Sequence, residues 1–283
     1  MTTPPHIFDA RLWRNRAKRF RPQFQRSDFV LRRVLEDMAD SLGAINRNFQ
    51  SGLELNALPL RLTEFVPEGK ITHLNEEVRD IDLDATPLPY ASDSLDLIVS
   101  ALGLHRINDV PGALVQIRRA LKPDGFFIAA MMGGETLTEL RQCLIEAELE
   151  VRGGYGPRIF PFAESHDVIE LMKRIGFAMP VVDSDRLKVS YEHPLALMHD
   201  LRSMGESNIL LERPKTGLNK AILERLCALY FEKFSNDEGR IIASFEIIHL
   251  SGWKPHESQQ KPLKPGTAKM RLSDALGVKE IKL

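Results

Sequence analysis

Two strongly apolar segments separated by an amphipathic helix limit the fold of this chain more than any other feature. SLDLIVSALGLH (94–105) and FFIAAMM (126–132) carry apolar residues at successive positions, so both faces of each strand need to be buried. Between them, PGALVQIRRALKPDG (111–125) has helical spacing and ends in a Lys-Pro-Asp-Gly turn. This alternation predicts an α/β fold with a parallel sheet covered by helices on both sides.

Strand candidates also lie before and after this unit. GLEL (52–55) and GKITHL (69–74) precede it, and PVVDSDRLKVSY (180–191) and RIIASFEIIHLSGW (240–253) follow it. Because a helical stretch separates the last two strands, we expect them to form an antiparallel pair at the edge of the sheet.

The same patterns predict the organisation of the chain. We expect a basic N-terminal helical segment, an α/β domain with a helical insertion before its last strand, and an extended tail; their ranges are 1–44, 45–253 (insertion 193–239) and 254–283. Little apolar periodicity and several prolines after Trp253 indicate that the tail is extended.

The overall charge argues against nucleic acid as a partner. The chain has 38 basic and 39 acidic residues, for a net charge of -1, so it has no global positive field. Basic residues nevertheless crowd the N-terminal segment at Arg11, Arg14, Arg16, Lys18, Arg19 and Arg21. We expect this segment to be a surface for a partner protein or a solvated helix. The tail is expected either to wrap its own domain or to bind a client.

Cysteine use and hydropathy indicate the compartment. Cys143 and Cys227 lie far apart with no metal-type spacing, which fits a reducing environment. The N-terminus has no signal-peptide apolar core, and no apolar run approaches the ~20 residues that span a bilayer. A cytoplasmic location without a membrane span is predicted. The histidines show no metal-ligand spacing, so no metal site is expected.

Two motifs carry a family resemblance. DATPLPYASDSLDLIVS (84–100) and LKPDGFFIAA (121–130) resemble class I S-adenosylmethionine-dependent methyltransferases, and the likeness covers roughly 45–185 and 241–253. Residues 7–20, 101–141 and 249–276 resemble one subgroup of that superfamily. It includes malonyl-carrier-protein methyltransferases and a mitochondrial complex I assembly factor described as an arginine hydroxylase. The resemblance implies a Rossmann-like, doubly wound sheet, mostly parallel with an antiparallel edge pair.

The resemblance also assigns positions to the cofactor. Glu54 stands for the acidic residue that ends the first strand, and Asn56 lies in the loop that follows. Asn75 and Glu76 stand where an acidic residue normally binds the ribose hydroxyls, and Asp84 matches the acidic residue near the adenine amine. Glu54 and Asp84 have a structural alternative as a helix cap and a solvated strand-end acid.

The loop after the first strand departs from the family pattern. LELNALPLRL (53–62) has Leu58, Pro59 and Leu60 where the family has glycines. Leucine is disfavoured in the left-handed conformation, and its side chain takes volume that the cofactor needs. Pro59 removes an amide donor. We therefore expect Leu58 and Leu60 to point into the cleft and to weaken the binding of S-adenosylmethionine.

Four further positions are candidates for the site. His105 follows a buried strand at the rim where a base or substrate lies, and Arg106 beside it is placed to orient an anion. Both also fit a structural role. Gly133 and Gly134 end the next strand and would admit a ligand close to the backbone.

Two functions follow from these observations. In the first, the chain is an assembly or accessory protein with a degenerate cofactor loop, and its basic N-terminus and tail bind a client such as a respiratory-complex subunit. In the second, it is an active methyltransferase acting on a protein or a carrier-bound acid. Methyl transfer relies mainly on alignment of the reactants, so few dedicated catalytic residues are needed.

Overall fold

The computed structural model describes residues 6–55, 58–75, 83–84 and 86–260. Its sheet has six strands in the order β2-β1-β3-β4-β6-β5. They are β1 Gly52–Glu54, β2 Leu74–Asn75, β3 Leu95–Ala101, β4 Leu121–Met132, β5 Ala178–Tyr191 and β6 Ile241–Trp253.

The sheet is mostly parallel, with an antiparallel edge. β2, β1, β3 and β4 run parallel to one another, and β6 is antiparallel to both β4 and β5. The predicted edge pair is therefore confirmed. The second strand is shorter than the segment 69–74 suggested, since only Leu74–Asn75 pairs as a strand and Ile71 makes an isolated bridge to Phe49.

Seven helices are present in the described part of the chain. They are α1 Ala10–Phe20, α2 Phe29–Ala44, α3 Val110–Ala120, α4 Thr138–Arg152, α5 Ser165–Ile175, α6 Pro194–Met204 and α7 Lys220–Phe234. Short 3-10 turns occur at Arg21–Arg26, Leu62–Glu64 and Leu104–Arg106. No helix among these residues is long and apolar enough to cross a membrane.

Two cores lie on opposite faces of the sheet, as the apolar strands require. Leu97, Val99 and Ala101 of β3 face the core that contains α1, α2, α4, α6 and α7. Ile98 between them faces the second core, which contains α3 and α5. The period-2 alternation of a strand thus fills both cores from one apolar segment.

Candidate functional site

The candidate site lies at the carboxyl ends of β1, β3 and β4, where ligands bind in open α/β sheets. Glu54, the last residue of β1, pairs in register with Val99 of β3, and Ala101 of β3 pairs with Ala130 of β4. Asn56 and Glu76, two of the residues assigned to the cofactor, lie outside the described residues.

Glu54 is fully buried at the end of β1. Its Oε1 accepts a hydrogen bond from the backbone N–H of Leu62 at 3.3 Å. This contact ties the start of the loop to the 3-10 turn Leu62–Glu64, which is the only helical element in the described residues between β1 and β2. The carboxylate therefore takes part in closing its own loop.

Leu58 lies in the interior and is 2% exposed. It lines a cavity of about 10 Å³ together with Leu31, Leu102 and Met132, a space for at most about one water molecule. Leu102 has a φ of 51°, so the turn after β3 adopts a conformation that leucine rarely takes. Leu60 is half-buried and packs against the same core.

The Asp84 carboxylate is engaged by the N-terminal end of α3. Its Oδ2 accepts from the backbone N–H of Asn108 at 2.9 Å and from Nδ2 of Asn108 at 2.8 Å, and its Oδ1 accepts from the N–H of Asp109 at 2.8 Å. These three bonds orient the carboxylate toward the protein's own backbone. Asn75, at the end of β2, is half-buried.

Asn108 also binds the N-terminal segment of the chain. Its Oδ1 accepts from the backbone N–H groups of Ile7 and Phe8 at 2.6 and 2.8 Å, and its Nδ2 donates to the Phe8 carbonyl at 3.2 Å. Phe8 forms an antiparallel bridge to Leu210. The first described residues therefore lie beside the turn that follows β3, attached through Asn108 and through backbone hydrogen bonds to residues 209–211.

His105 and Arg106 converge on a glutamate that follows α6. Nε2 of His105 lies 3.2 Å from Oε2 of Glu206, and Nη1 of Arg106 donates to Oε1 of Glu206 at 2.6 Å. All three side chains are buried, at 0%, 8% and 5% exposed. Trp13 completes the cluster, because the Arg106 guanidinium lies 4.6 Å from its ring centre.

The contacts of His105 define its protonation. Nδ1 accepts from the backbone N–H of Met132 at 3.4 Å, so the ring proton sits on Nε2 and is donated to Glu206. Burial lowers the pKa of His105, and Glu206 only partly opposes this. Burial acts to raise the pKa of Glu206, but His105 and Arg106 outweigh it and leave that pKa below its ordinary value. The cluster thus contains a neutral histidine and one ion pair.

This geometry gives His105 and Arg106 internal partners at the positions predicted for catalysis. Each of the two side chains directs its polar atoms to Glu206 or the backbone of β4. Their roles as base and anion-orienting residue stay predictions. The described residues contain no group of three or more histidine, cysteine or acidic side chains suited to a metal ion.

Gly133 and Gly134 accommodate side chains of the protein itself. A Cβ at Gly133 would lie 2.6 Å from Oε2 of Glu246, and one at Gly134 would lie 2.1 Å from Oε1 of Glu164. Glu246 is buried and accepts from the N–H of Glu135. The close approach expected of a ligand is therefore made by two carboxylates of the chain.

Sequence reasoning did not identify Glu206, Asn108 or Glu246. Glu206 follows a helix-ending glycine and has no motif, and its partners lie about 100 residues earlier. Asn108 precedes the cap of α3 but shares no periodic pattern with Asp84. Only the folded chain brings these residues together.

Comparison with known proteins defines the class. Residues 63–129 match the methyltransferase domain family. The YcgJ protein from Bacillus subtilis superposes with a TM-score of 0.51 at 13% identity, covering 80% of this chain and 99% of that one, so the two share a fold. The fold is thus that of the class I S-adenosylmethionine-dependent methyltransferases.

Similar proteins identify the family within this superfamily to which the chain belongs. Arginine-hydroxylase NDUFAF5, mitochondrial, of Danio rerio is 38% identical over 263 residues, covering 87% of this chain and 82% of the relative. The Homo sapiens protein of the same name is 37% identical, covering 93% and 81%. A malonyl-[acyl-carrier protein] O-methyltransferase of Halorhodospira halophila is 34% identical, covering 62% and 57%. This chain belongs to the NDUFAF5 family of the methyltransferase superfamily.

Proposed function

We propose that this chain is a methyltransferase-fold assembly protein that binds a client protein and does not hold S-adenosylmethionine in the pose typical of its superfamily. The observation that carries the proposal is the burial of Leu58, which is 2% exposed against Leu102 and Met132 at the carboxyl ends of β3 and β4. In this fold the cofactor lies beyond those strand ends. The burial of Leu58 at this edge supports the proposal that the described residues do not fit the cofactor.

Energetics support this interpretation. Removing a buried leucine side chain from a core costs about 2–5 kcal/mol. A ligand that must first displace Leu58 loses affinity by that amount, and each 1.4 kcal/mol corresponds to about a factor of ten. Asp84 already accepts three hydrogen bonds from Asn108 and Asp109, which reduces the capacity of this carboxylate to accept one from adenine.

The family relationship supplies the type of client. The subgroup resembled by the sequence contains a complex I assembly factor, so a subunit of a respiratory complex is the proposed client. The N-terminal segment and the tail are the proposed contact regions. Residues 254–260 of the tail are attached to the domain, because the backbone N–H of Lys254 donates to the Gly125 carbonyl and Nε2 of Gln259 donates to Oδ1 of Asp124. Residues 261–283 lie outside the described residues.

The compartment is part of the same proposal. The relatives from Danio rerio and Homo sapiens are named as mitochondrial proteins. Their names support a place beside the respiratory chain, whereas the cytoplasmic location expected from cysteine use stays a prediction.

Methyl transfer to a protein or a carrier-bound acid is the second candidate. It is favoured by the retention of Glu54 at the end of β1 and by relatives named as malonyl-[acyl-carrier protein] O-methyltransferases. This candidate requires the loop after β1 to open so that Leu58 leaves the interior.

Isothermal titration calorimetry with S-adenosylmethionine and S-adenosylhomocysteine separates the two candidates. No heat of binding at about 1 mM ligand is the expected result, and a dissociation constant in the micromolar range would overturn the proposal in favour of methyl transfer. Copurification of complex I subunits with the full chain, compared with a variant lacking 261–283, tests the client. Undiminished recovery with the shortened variant would remove the tail from the proposed contact.

A further inference from the structure

A second cavity lies away from the edge formed by Glu54 and Asp84. It is a cleft of about 980 Å³ between α1, α4, α6 and the segment 207–218. Cationic side chains line it from four parts of the chain: Arg16, Arg19, Arg158, Arg202, Arg213 and Lys215. A concave site of this size is in the range that encloses a small molecule.

Two of these cations are neutralised inside the protein. Arg158 donates twice to Oε1 of Glu148, at 3.0 and 2.7 Å. Nη1 of Arg213 lies 3.8 Å from Oδ2 of Asp9. Glu206 is the acidic residue in the lining, and its charge is neutralised by the ion pair with Arg106.

The other four cations have no such partner. Across the described part of the chain, no carboxylate lies within ion-pair distance of Arg16, Arg19, Arg202 or Lys215. Burial and the positive charge of Arg213 lower the pKa of Arg16, Asp9 partly opposes them, and Arg19 and Arg202 lower that pKa further. Like charges held together at one cleft cost free energy unless an anion offsets them.

The two ends of the chain that lie outside the described residues carry no excess of negative charge. Residues 1–5 have no acidic side chain. The tail 261–283 is itself basic, with six lysines and arginines at Lys261, Lys264, Lys269, Arg271, Lys279 and Lys282 against Asp274 and Glu280. An external ligand is therefore the better match in charge.

The rest of the lining includes both polar and apolar side chains. Phe20, Leu144 and Ile159 are among its walls, and Ile159 and Leu201 continue into a cavity of about 30 Å³ that ends at Met132 of β4. The cleft therefore has exposed cations at its mouth and apolar walls toward the interior. Arginine forms bidentate bonds to phosphate more readily than lysine does. Three of the four cations without a carboxylate partner, Arg16, Arg19 and Arg202, are arginines.

We propose that this cleft binds an organic phosphate, with the phosphate group at Arg16, Arg19 and Arg202 and an apolar portion against Ile159 and Leu201. The phosphate ester is carried either by a soluble metabolite or by a lipid headgroup. Glu54, Leu58 and Asp84 do not line the cleft, whereas Glu206 lines both the cleft and the small cavity beside Leu58.

Calorimetry with decyl phosphate and inorganic phosphate on the full chain at low salt tests the site. We expect decyl phosphate to bind with a dissociation constant below about 100 µM and inorganic phosphate more weakly, because only the former fills the apolar part. The double variant Arg19→Gln/Arg202→Gln should bind decyl phosphate at least about tenfold more weakly, since two charge-assisted contacts are lost. Both side chains are exposed, so the fold is expected to be kept.

The matched control is Arg11→Gln/Arg174→Gln, which removes the same charge at two exposed arginines outside the cleft and should leave affinity unchanged. Flotation with phosphatidylcholine vesicles containing phosphatidic acid distinguishes the two sources of the phosphate. Vesicle binding by the wild type that is lost in the Arg19→Gln/Arg202→Gln variant assigns the site to a lipid headgroup. If the wild type does not bind the vesicles, the site is assigned to a soluble phosphate. The proposal is overturned if decyl phosphate gives no heat at about 1 mM, if both double variants bind equally, or if a glutamate-rich peptide competes equally well for the same arginines.

Discussion

Arg106 and Glu206 form a buried ion pair in which Nη1 of the arginine lies 2.6 Å from Oε1 of the glutamate, with side chains 8% and 5% exposed. Arg106 follows β3 and Glu206 follows α6, and Trp13 of α1 stacks on the guanidinium. Trp13 also donates from Nε1 to the Gly205 carbonyl at 3.2 Å. The pair therefore joins three elements that are distant in sequence.

Glu206→Gln should strongly destabilise the protein. The variant leaves the Arg106 charge buried without its counterion, and breaking a buried pair in this way costs about 3–5 kcal/mol. Urea denaturation measures the loss in free energy of unfolding. The control is Glu192→Gln, whose pair with Arg240 is 3.4 Å long with the glutamate 84% exposed, and which should cost at most about 0.5 kcal/mol. Equal costs for the two variants would contradict the role of Glu206.

Stability should fall as the pH is lowered from 7.5 toward 5.5. Burial places the pKa of His105 below its ordinary value of 6.5. The unfolded chain therefore takes up a proton near that pH before the folded protein does, and the free energy of unfolding falls as pH decreases. One such group contributes at most about 1.4 kcal/mol per pH unit.

His105→Gln isolates this contribution. The pKa of His249 is also lowered, first by burial, so some pH dependence of the same sign should persist in the variant. Free energies of unfolding measured at pH 7.5, 6.5 and 5.5 should show a shallower slope for His105→Gln than for wild type. His166→Gln, at an exposed position, should keep the wild-type slope. An unchanged slope in His105→Gln would rule out His105 as the titrating group.

The sheet was predictable because the amino-acid pattern of its central strands indicates that both of their faces are buried. Ile98 and Val99 face different cores, and continuous apolar runs of this kind are typical of parallel strands with helices on both faces of the sheet. The site was harder to predict from the sequence, because its polar residues are far apart in the chain and become hydrogen-bond partners only in the folded protein. Asp84 was identified from a motif, yet its partner Asn108 is known only from the structure.

The glycines after β4 show the same limit. Two adjacent glycines at a strand end are typical of a ligand-binding turn, and the sequence does not distinguish a ligand from an internal side chain. In the structure the space beside Gly133 belongs to Glu246, which lies more than 100 residues later on β6. Prediction of that contact requires the register between β4 and β6.

Asn108→Ala should release the N-terminal segment. The change removes the acceptor of the Ile7 and Phe8 N–H groups and a donor to Asp84. Loss of this part-buried set should cost about 1–3 kcal/mol. Hydrogen exchange at Phe8 should accelerate, whereas Asn46→Ala at an exposed position should leave it unchanged. Unaltered exchange in Asn108→Ala would mean that the bridge to Leu210 alone holds the segment.

Gly133→Ala should be more damaging than Gly134→Ala. The new methyl group at position 133 would press on Glu246, which is buried and fixed by the Glu135 N–H, whereas Glu164 beside Gly134 is exposed and free to rotate away. We expect a cost of about 1–3 kcal/mol for the first variant and under about 1 kcal/mol for the second. Thermal denaturation of both variants makes the comparison, and the reverse order would contradict it.

Leu58→Ala tests the loop that distinguishes this chain from the methyltransferase pattern. Leu58 is 2% exposed, so its truncation should cost about 2–5 kcal/mol of stability. If Leu58 occupies volume needed by the cofactor, the same variant should bind S-adenosylhomocysteine more tightly than wild type in calorimetry. Leu60→Ala, at a half-buried position of the same loop, should cost less and change affinity less. Destabilisation of Leu58→Ala without any gain in affinity would show that Leu58 is only a core residue and that the cofactor edge is altered elsewhere.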